Sequence, residues 1–368
     1  MAKSYRVAVI GRTGKGNYGH GIDTVWSALP NVEVVAVADE HEVGRRTALQ
    51  RTKAKTAYAD FREMLETERP EIVAIGPRWI DQHRDMMLAA AEYGGHVYSE
   101  KPFVPTLVQA DEVVRTFEMK HLKLALAHQT RQCPVVHLVR RLLAGGEIGQ
   151  LLEMRGRGKE DHRGGGEDLW VLGSHILDLM RFFAGDPTDC HAVVAQAGHP
   201  VTRADVVMGN EGLGPLAGDT ITARYSFPNG VVGYFSSFRK QGGSPSRFGL
   251  QLLGSKGIIE VFTGYLEPAW ILRDSSWSPG RSGAKWLPIS SNGVDQPETL
   301  PDRGLHGGNV AAVKNLMAAI EQDRQPLCSM YDGRASVEMI AAVYESHRLG
   351  RTVPLPLATR ENPLTLLS

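Results

Sequence analysis

Residues 5–39 read YRVAVIGRTGKGNYGHGIDTVWSALPNVEVVAVAD, and the order of signals in this stretch decides the fold. Tyr5 to Ile10 is a short apolar, β-branched run of the kind that forms a strand buried on both faces. It feeds a turn crowded by Gly11, Gly14, Gly16 and Gly19, after which a helix is expected from about Ile22 to Leu29. Glycines there permit positive φ and let backbone amides approach a pyrophosphate at the helix N-terminus. A second strand, Val32 to Ala38, ends at Asp39, twenty residues after Gly19. A carboxylate at that point accepts hydrogen bonds from both ribose hydroxyls of NAD and repels the 2′-phosphate of NADP.

The loop departs from the usual fingerprint. Gly11 sits where the strand ends, but the literal match Gly14-x-Gly16-x-x-Gly19 begins three residues later. Which of Gly11, Arg12, Thr13, Gly14, Gly16, Asn17 and Tyr18 meets phosphate is left open by the spacing. Arg45 and Arg46 are the residues that argue for NADP. They lie six and seven positions past Asp39, where the solvated face of the next helix accounts for them, so NAD is favoured.

Working outward, residues 72–102 (IVAIGPRWIDQHRDMMLAAAEYGGHVYSEKP) parse as strand, loop, amphipathic helix Gln82–Tyr93 and a strand stopping at Glu100-Lys101-Pro102. Thr106-x-x-Gln109 reads as a capping box for a helix to about Lys120, and Leu122 to Ala127 gives a further strand. This repetition predicts an N-terminal doubly wound parallel sheet with right-handed crossovers over residues 1–128. Ligands of such sheets bind beyond the carboxyl ends of the strands, where Lys101 can reach both cofactor and substrate.

From residue 129 to 368 the rhythm changes. A helix Pro134–Leu143, a strand Leu151–Gly156, a charged glycine-rich loop Arg157–Asp168 and a helix near Ser174–Phe183 precede a succession of strands from Cys190 to about Ile289. The turn Pro228-Asn229-Gly230 joins two of them. Residues 270–302 carry little pattern and suit loop or edge structure, and two helices close the chain and can pack back on the first domain. The prediction is an α+β domain with a mostly antiparallel open sheet, apolar on its open face and suited to a homo-oligomer, dimer or tetramer.

Composition sets the class. The chain has 368 residues, too many for one typical core, with 42% hydrophobic and 22% charged residues. Lysine plus arginine (41) equals aspartate plus glutamate (41), so no global field favours nucleic acid or an anionic membrane. Cys133, Cys190 and Cys328 are scattered and odd in number, which suits a reducing compartment and no metal or disulfide framework. Met1 to Ser4 lead straight into the first strand, without room for a signal peptide, and no apolar run is long enough to span a bilayer, so the cytoplasm is expected.

Taken together, VAVIGRTGKGNYGH, Asp39, HVYSEKP, LAGGEIGQLLEMRG, LGSHILDLMRFFAG, FPNGVVG, LLGSKGIIEVF and GGNVAAVKNLMAAIEQDRQP resemble the Gfo/Idh/MocA family of NAD(P)-dependent oxidoreductases over nearly the whole chain. The resemblance implies that Lys101 orients a substrate hydroxyl and assists its proton, while Glu100 holds this lysine or the nicotinamide-side network. Pro102 is a candidate for a cis peptide bond. The family's D-x-G-x-H-x-x-D element reads Val171-Leu172-Gly173-Ser174-His175-Ile176-Leu177-Asp178 here. His175 is then the general base, and Asp178, grouped with Arg131, Asp168 and Trp170 on the substrate-binding side, orients it or holds the domain interface. Val171 replaces the first carboxylate, so Asp168 or Glu167 must supply one, or the substrate differs from the usual polyol. Pro77-Arg78 falls at the nicotinamide-side step, with two extra residues before His83. Arg131 falls at a substrate-pocket position, and Trp170 can stack on a sugar ring or pack in the core.

The expectation is therefore hydride transfer between NAD and a secondary alcohol of a sugar, glycoside or cyclitol. Two other classes share this scaffold. One keeps NAD bound and uses transient oxidation for glycoside cleavage or epimerisation; the other is a non-catalytic NAD and sugar sensor.

Overall fold

The computed structural model describes residues 4–368. The chain divides into two compact units. The first comprises residues up to Gln129 with Asn210–Gly214 and Leu305–Val337; the second comprises Thr130–Gly209, Pro215–Gly304 and Glu338–Ser368.

In the first unit, β1 (Tyr5–Ile10), β2 (Val32–Ala38), β3 (Thr56–Tyr58), β4 (Ile72–Ile75), β5 (His96–Ser99) and β6 (Leu124–Leu126) form one parallel sheet. Its order, β3-β2-β1-β4-β5-β6, turns at β1 and opens a crevice there. The helices are α1 (Glu42–Thr52), α2 (Phe61–Glu68), α3 (His83–Glu92) and α4 (Leu107–Met119). Thr106 caps α4 by accepting from the Gln109 amide at 3.3 Å, while the Gln109 side-chain oxygen makes no return bond, so the box is half formed.

The helix expected from Ile22 to Leu29 is absent. A 3-10 turn, Val25–Ala28, stands in its place. Gly19 and Gly21 hold φ of 63° and 85°, which interrupts helical hydrogen bonding, and β-branched Ile22, Thr24 and Val25 lower helix propensity further. Ile22, Val25, Trp26 and Leu29 instead bury themselves with Ala312, Val313, Leu316 and Met317 of the late helix Leu305–Glu321.

In the second unit, α5 (Pro134–Ala144) leads to β7 (Leu151–Arg157), then α6 (Gly166–Val171), α7 (Gly173–Ala184) and β8 (Asp189–Gln196). The charged loop is thus shorter than the sequence implied, because α6 already begins at Gly166. The sheet is mixed and mostly antiparallel. β7 lies centrally, parallel to Val232–Phe238 and antiparallel to Gly249–Gly254. Strands Ala269–Leu272, Leu287–Ser290 and Gly293–Val294 extend one edge, as the weak pattern there suggested.

Gly156 in β7 lets α7 lie close, since a Cβ would come within 2.3 Å of Ile176. The apolar rows of the sheet, including Met154, Ile221, Tyr225 and Phe235, are buried. The alternate rows carry Glu153, Arg155, Thr222, Arg224, Gln251 and Glu260, with exposed Tyr234 among them. That corrects the expectation of an apolar open face. One period-two alternation serves a single apolar layer, and here the other row is tied up in pairs such as Gln251 with Glu260 at 2.6 Å. Among the described residues no helix is long and apolar enough to cross a membrane.

Candidate active site

At the end of β1 the glycine turn folds back on itself. Arg12 and Asn17 exchange backbone hydrogen bonds of 2.9 and 3.0 Å, with Gly14, Gly16 and Asn17 at φ of 84°, 86° and 54°. Two acidic anchors pin it. The Arg12 guanidinium donates to both oxygens of Asp81 at 2.7 and 2.9 Å. Thr13 donates to Asp39 from its hydroxyl at 2.6 Å and from its amide at 3.1 and 3.2 Å, while the His41 amide adds 2.9 Å. Tyr18 is buried beneath the turn, with Arg51 over its ring; burial first, and Asp39 next, push its phenol well up. Arg45 does not simply point to solvent: it donates to the Asp39 carbonyl at 2.7 Å.

The far end of the turn meets β5. Gly19 at φ 63° would place a Cβ 2.6 Å from the Glu100 side chain, so only glycine allows the approach. One Glu100 oxygen accepts from the His20 amide at 3.0 Å and contacts its ring nitrogen at 2.6 Å; the other accepts from the Lys101 amide at 2.9 Å. Burial alone would raise the Glu100 carboxyl. The His20 hydrogen bond and charge, the Lys101 ammonium and the His20 amide outweigh it and hold the carboxyl below its ordinary range. Lys101 is itself buried and the Lys101–Pro102 bond is cis.

Asn309 is a buttress the motifs did not flag. Fully buried, it accepts from Tyr98 at 2.7 Å and Gln129 at 2.9 Å, and donates to the His20 carbonyl at 2.8 Å. Its GGN context at the start of an apolar helix carries no local chemical signal. His20 was equally hidden, lying inside a glycine run that reads only as turn. Pro77 is buried, and Arg78 is half-buried with its backbone amide 2.2 Å from where a Gly16 Cβ would lie.

The second unit holds the other predicted residues. Arg131 donates to Asp178 at 2.7 Å and stacks over Phe182, so two residues predicted to bind substrate form a buried ion pair with each other. His175 opens α7, half-buried, its ring edge-on to Phe248 at 6.4 Å. Trp170 and Val171 are buried in α6. Asp168 is fully buried and accepts from Ser237 at 2.5 Å, the Glu160 amide at 3.1 Å and the Lys159 amide at 3.2 Å. Burial raises its carboxyl despite those bonds. It therefore pins the turn after β7.

Glu160 on that turn is also fully buried, with φ of 59°, its carboxyl raised by burial and facing Arg247 at 3.0 Å and Arg157 at 3.8 Å. Phe248, Arg157, Arg247 and Tyr234 line a cavity of 1040 Å³. Glu160 escaped notice because it lies inside the charged loop Arg157–Asp168, where one acid among several charges carries no separate signal.

The first unit fits a dinucleotide at its glycine turn and its strand-end acids, with one condition. Beside Asp39, between Gly11, Arg12, Glu40 and Phe61, the space is only 10 Å³. The Thr13 hydroxyl and amide occupy the Asp39 carboxylate.

Comparison with known proteins places both halves. A model described as "Oxidoreductase family, NAD-binding Rossmann fold" matches residues 5–128, and "Oxidoreductase family, C-terminal alpha/beta domain" matches residues 141–355. A levoglucosan dehydrogenase of Pseudarthrobacter phenanthrenivorans is 24% identical over 63% of this chain and 65% of its own length. A D-apiose dehydrogenase of Paraburkholderia graminis is 24% identical over 92% of this chain and 87% of its own. A levoglucosan dehydrogenase solved with NADH and levoglucosan shares the fold at a TM-score of 0.78 and 19% identity, over 96% of this chain and 100% of that one. So does an Agrobacterium radiobacter oxidoreductase solved with NAD+, L-tartaric acid and magnesium, at 0.72 and 18%, over 96% and 98%.

Proposed function

The chain belongs to the Gfo/Idh/MocA oxidoreductase family, and on that premise we propose that it transfers hydride between NAD and a secondary alcohol of a sugar, glycoside or cyclitol. The relatives that act on sugars support this substrate class. The observation that carries the reading is the Glu100–Lys101 arrangement: a buried ammonium-bearing residue at the end of β5, its amide fixed by a carboxylate that also grips the glycine turn.

In this reading residues 1–128 bind the cofactor and residues 129–368 recognise the substrate. Bound NAD supplies the hydride acceptor. The turn of Gly11, Arg12, Thr13, Gly14, Gly16, Asn17 and Tyr18 holds its phosphates through backbone amides, Asp39 its ribose, and Pro77, Arg78 and Glu100 the nicotinamide side. Lys101 orients the reacting hydroxyl through its ammonium. His175 takes the hydroxyl proton at a ring nitrogen as the C–H bond breaks. The Arg131–Asp178 pair fixes the helix that carries His175, three residues along, and Asp168 sets the turn after β7. Val171 brings no carboxylate to this proton path.

A panel of sugars, glycosides and inositols with NAD tests the proposal. NADH formed in a one-to-one ratio with an oxidised product supports it. Product without NADH would move the assignment to transient-oxidation chemistry, and NAD binding with no product to a sensor. Lys101→Ala and His175→Ala are expected to abolish turnover while NAD still binds.

A further inference from the structure

We propose that His83 is a positioning residue for Lys101, its Nδ1–H donating to the backbone that follows that lysine. Its ring is fully buried at the start of α3. Nε2 lies 2.7 Å from the Pro77 carbonyl, and Nδ1 lies 3.1 and 3.0 Å from the carbonyls of Pro102 and Phe103. All three partners accept only. A neutral imidazole has one N–H, and on Nδ1 it serves the two carbonyls that follow Lys101.

The consequence falls on Lys101. Its own amide is held by Glu100 at 2.9 Å, and the carbonyls of the next two residues are held by His83. The backbone around Lys101 is thus gripped on both sides. A 3-10 turn, Ile80–Gln82, absorbs the extra residues before His83 and delivers the ring to the helix start. A helix-borne side chain is a stiffer strut than a loop contact. Displacing a catalytic group by about 1 Å costs on the order of 10²-fold in rate.

This inference rests on the dehydrogenase reading for its kinetic arm alone. His83→Asn keeps a donor near the Nδ1 position, facing Pro102 and Phe103; His83→Gln keeps one near Nε2, facing Pro77. The expected order of kcat is wild type, then Asn, then Gln, with His83→Leu lowest by about 10²-fold and KM for NAD unchanged in all. Nitrogen-15 NMR of ring-labelled, NAD-saturated protein should show the ring proton of His83 on Nδ1. Wild-type kcat in His83→Leu, Asn no better than Gln, or a bare Nδ1 in the spectrum would overturn it. If His83→Leu fails to fold, the Asn–Gln comparison decides. If wild type oxidises no sugar, the functional reading fails instead, and the spectrum, which needs no substrate, still judges the ring.

Discussion

The hydroxyl of Thr13 donates to the Asp39 carboxylate at 2.6 Å, so the acid that is proposed to receive the cofactor ribose is engaged by the glycine turn itself. On that proposal, binding begins with an exchange of donors. A hydrogen bond to a charged group contributes about 1.5–3 kcal/mol, and losing it weakens only the closed turn. Thr13→Val should therefore lower the Kd for NAD, by about 3–10-fold once the cost to the free protein is shared. Isothermal titration checks this. Weaker binding by the valine variant would show that the Thr13 hydroxyl itself contacts the nucleotide.

Arg131 and Asp178 make a different statement about burial. Both side chains are at most 9% exposed, and the Arg131 Nε to Asp178 distance is 2.7 Å. Removing one partner takes the ion pair from the other buried charge, at a cost of about 3–5 kcal/mol, whereas replacing both with apolar groups of similar volume is near neutral. Arg131→Met alone should depress the unfolding midpoint in urea sharply, and adding Asp178→Leu should restore most of it. A single variant with wild-type stability but impaired turnover would point to direct substrate contact.

How legible these sites were depends on the kind of signal. β1, β2, β4 and β5 and the acids at their ends were readable because buried parallel strands leave continuous apolar runs, and strand-end positions follow from counting. Asp39 and Lys101 fell out of that count. The misread helix at Ile22 shows the opposite case: periodicity was present, but Gly19 and Gly21 and a distant apolar helix decided the backbone. Asn309 lies almost three hundred residues from the His20 carbonyl it supports. No local pattern encodes such a contact. The Arg131–Asp178 pairing was hidden for the same reason, since each residue alone reads as a pocket group.

Asn309 makes three buried hydrogen bonds, to Tyr98, Gln129 and His20. Asn309→Leu fills similar volume but leaves the Tyr98 hydroxyl, the Gln129 amide and the His20 carbonyl without this partner. Each buried polar group left unsatisfied costs about 1–3 kcal/mol. Stability in urea should fall by at least one such increment. Because the His20 carbonyl sits on the residue that contacts Glu100, affinity for NAD should fall as well. A variant that loses stability yet keeps wild-type Kd would confine Asn309 to the core.

Glu100 predicts how the protein responds to acid. Its carboxyl is held below the ordinary range in the folded chain, against an ordinary value of 4.5 when unfolded, so the unfolded state binds the proton more readily. Stability from this group is therefore fully present above the unfolded value and is lost as pH falls through the folded one. Glu100→Gln removes that component. The variant should be less stable than wild type near neutral pH, and the gap should narrow as pH drops below the ordinary carboxylate range. Urea denaturation across that pH series measures it. A gap that stays constant would mean that the His20 and Lys101 contacts do not favour the ionised carboxylate, and the proposed anchoring of Lys101 would lose its electrostatic basis.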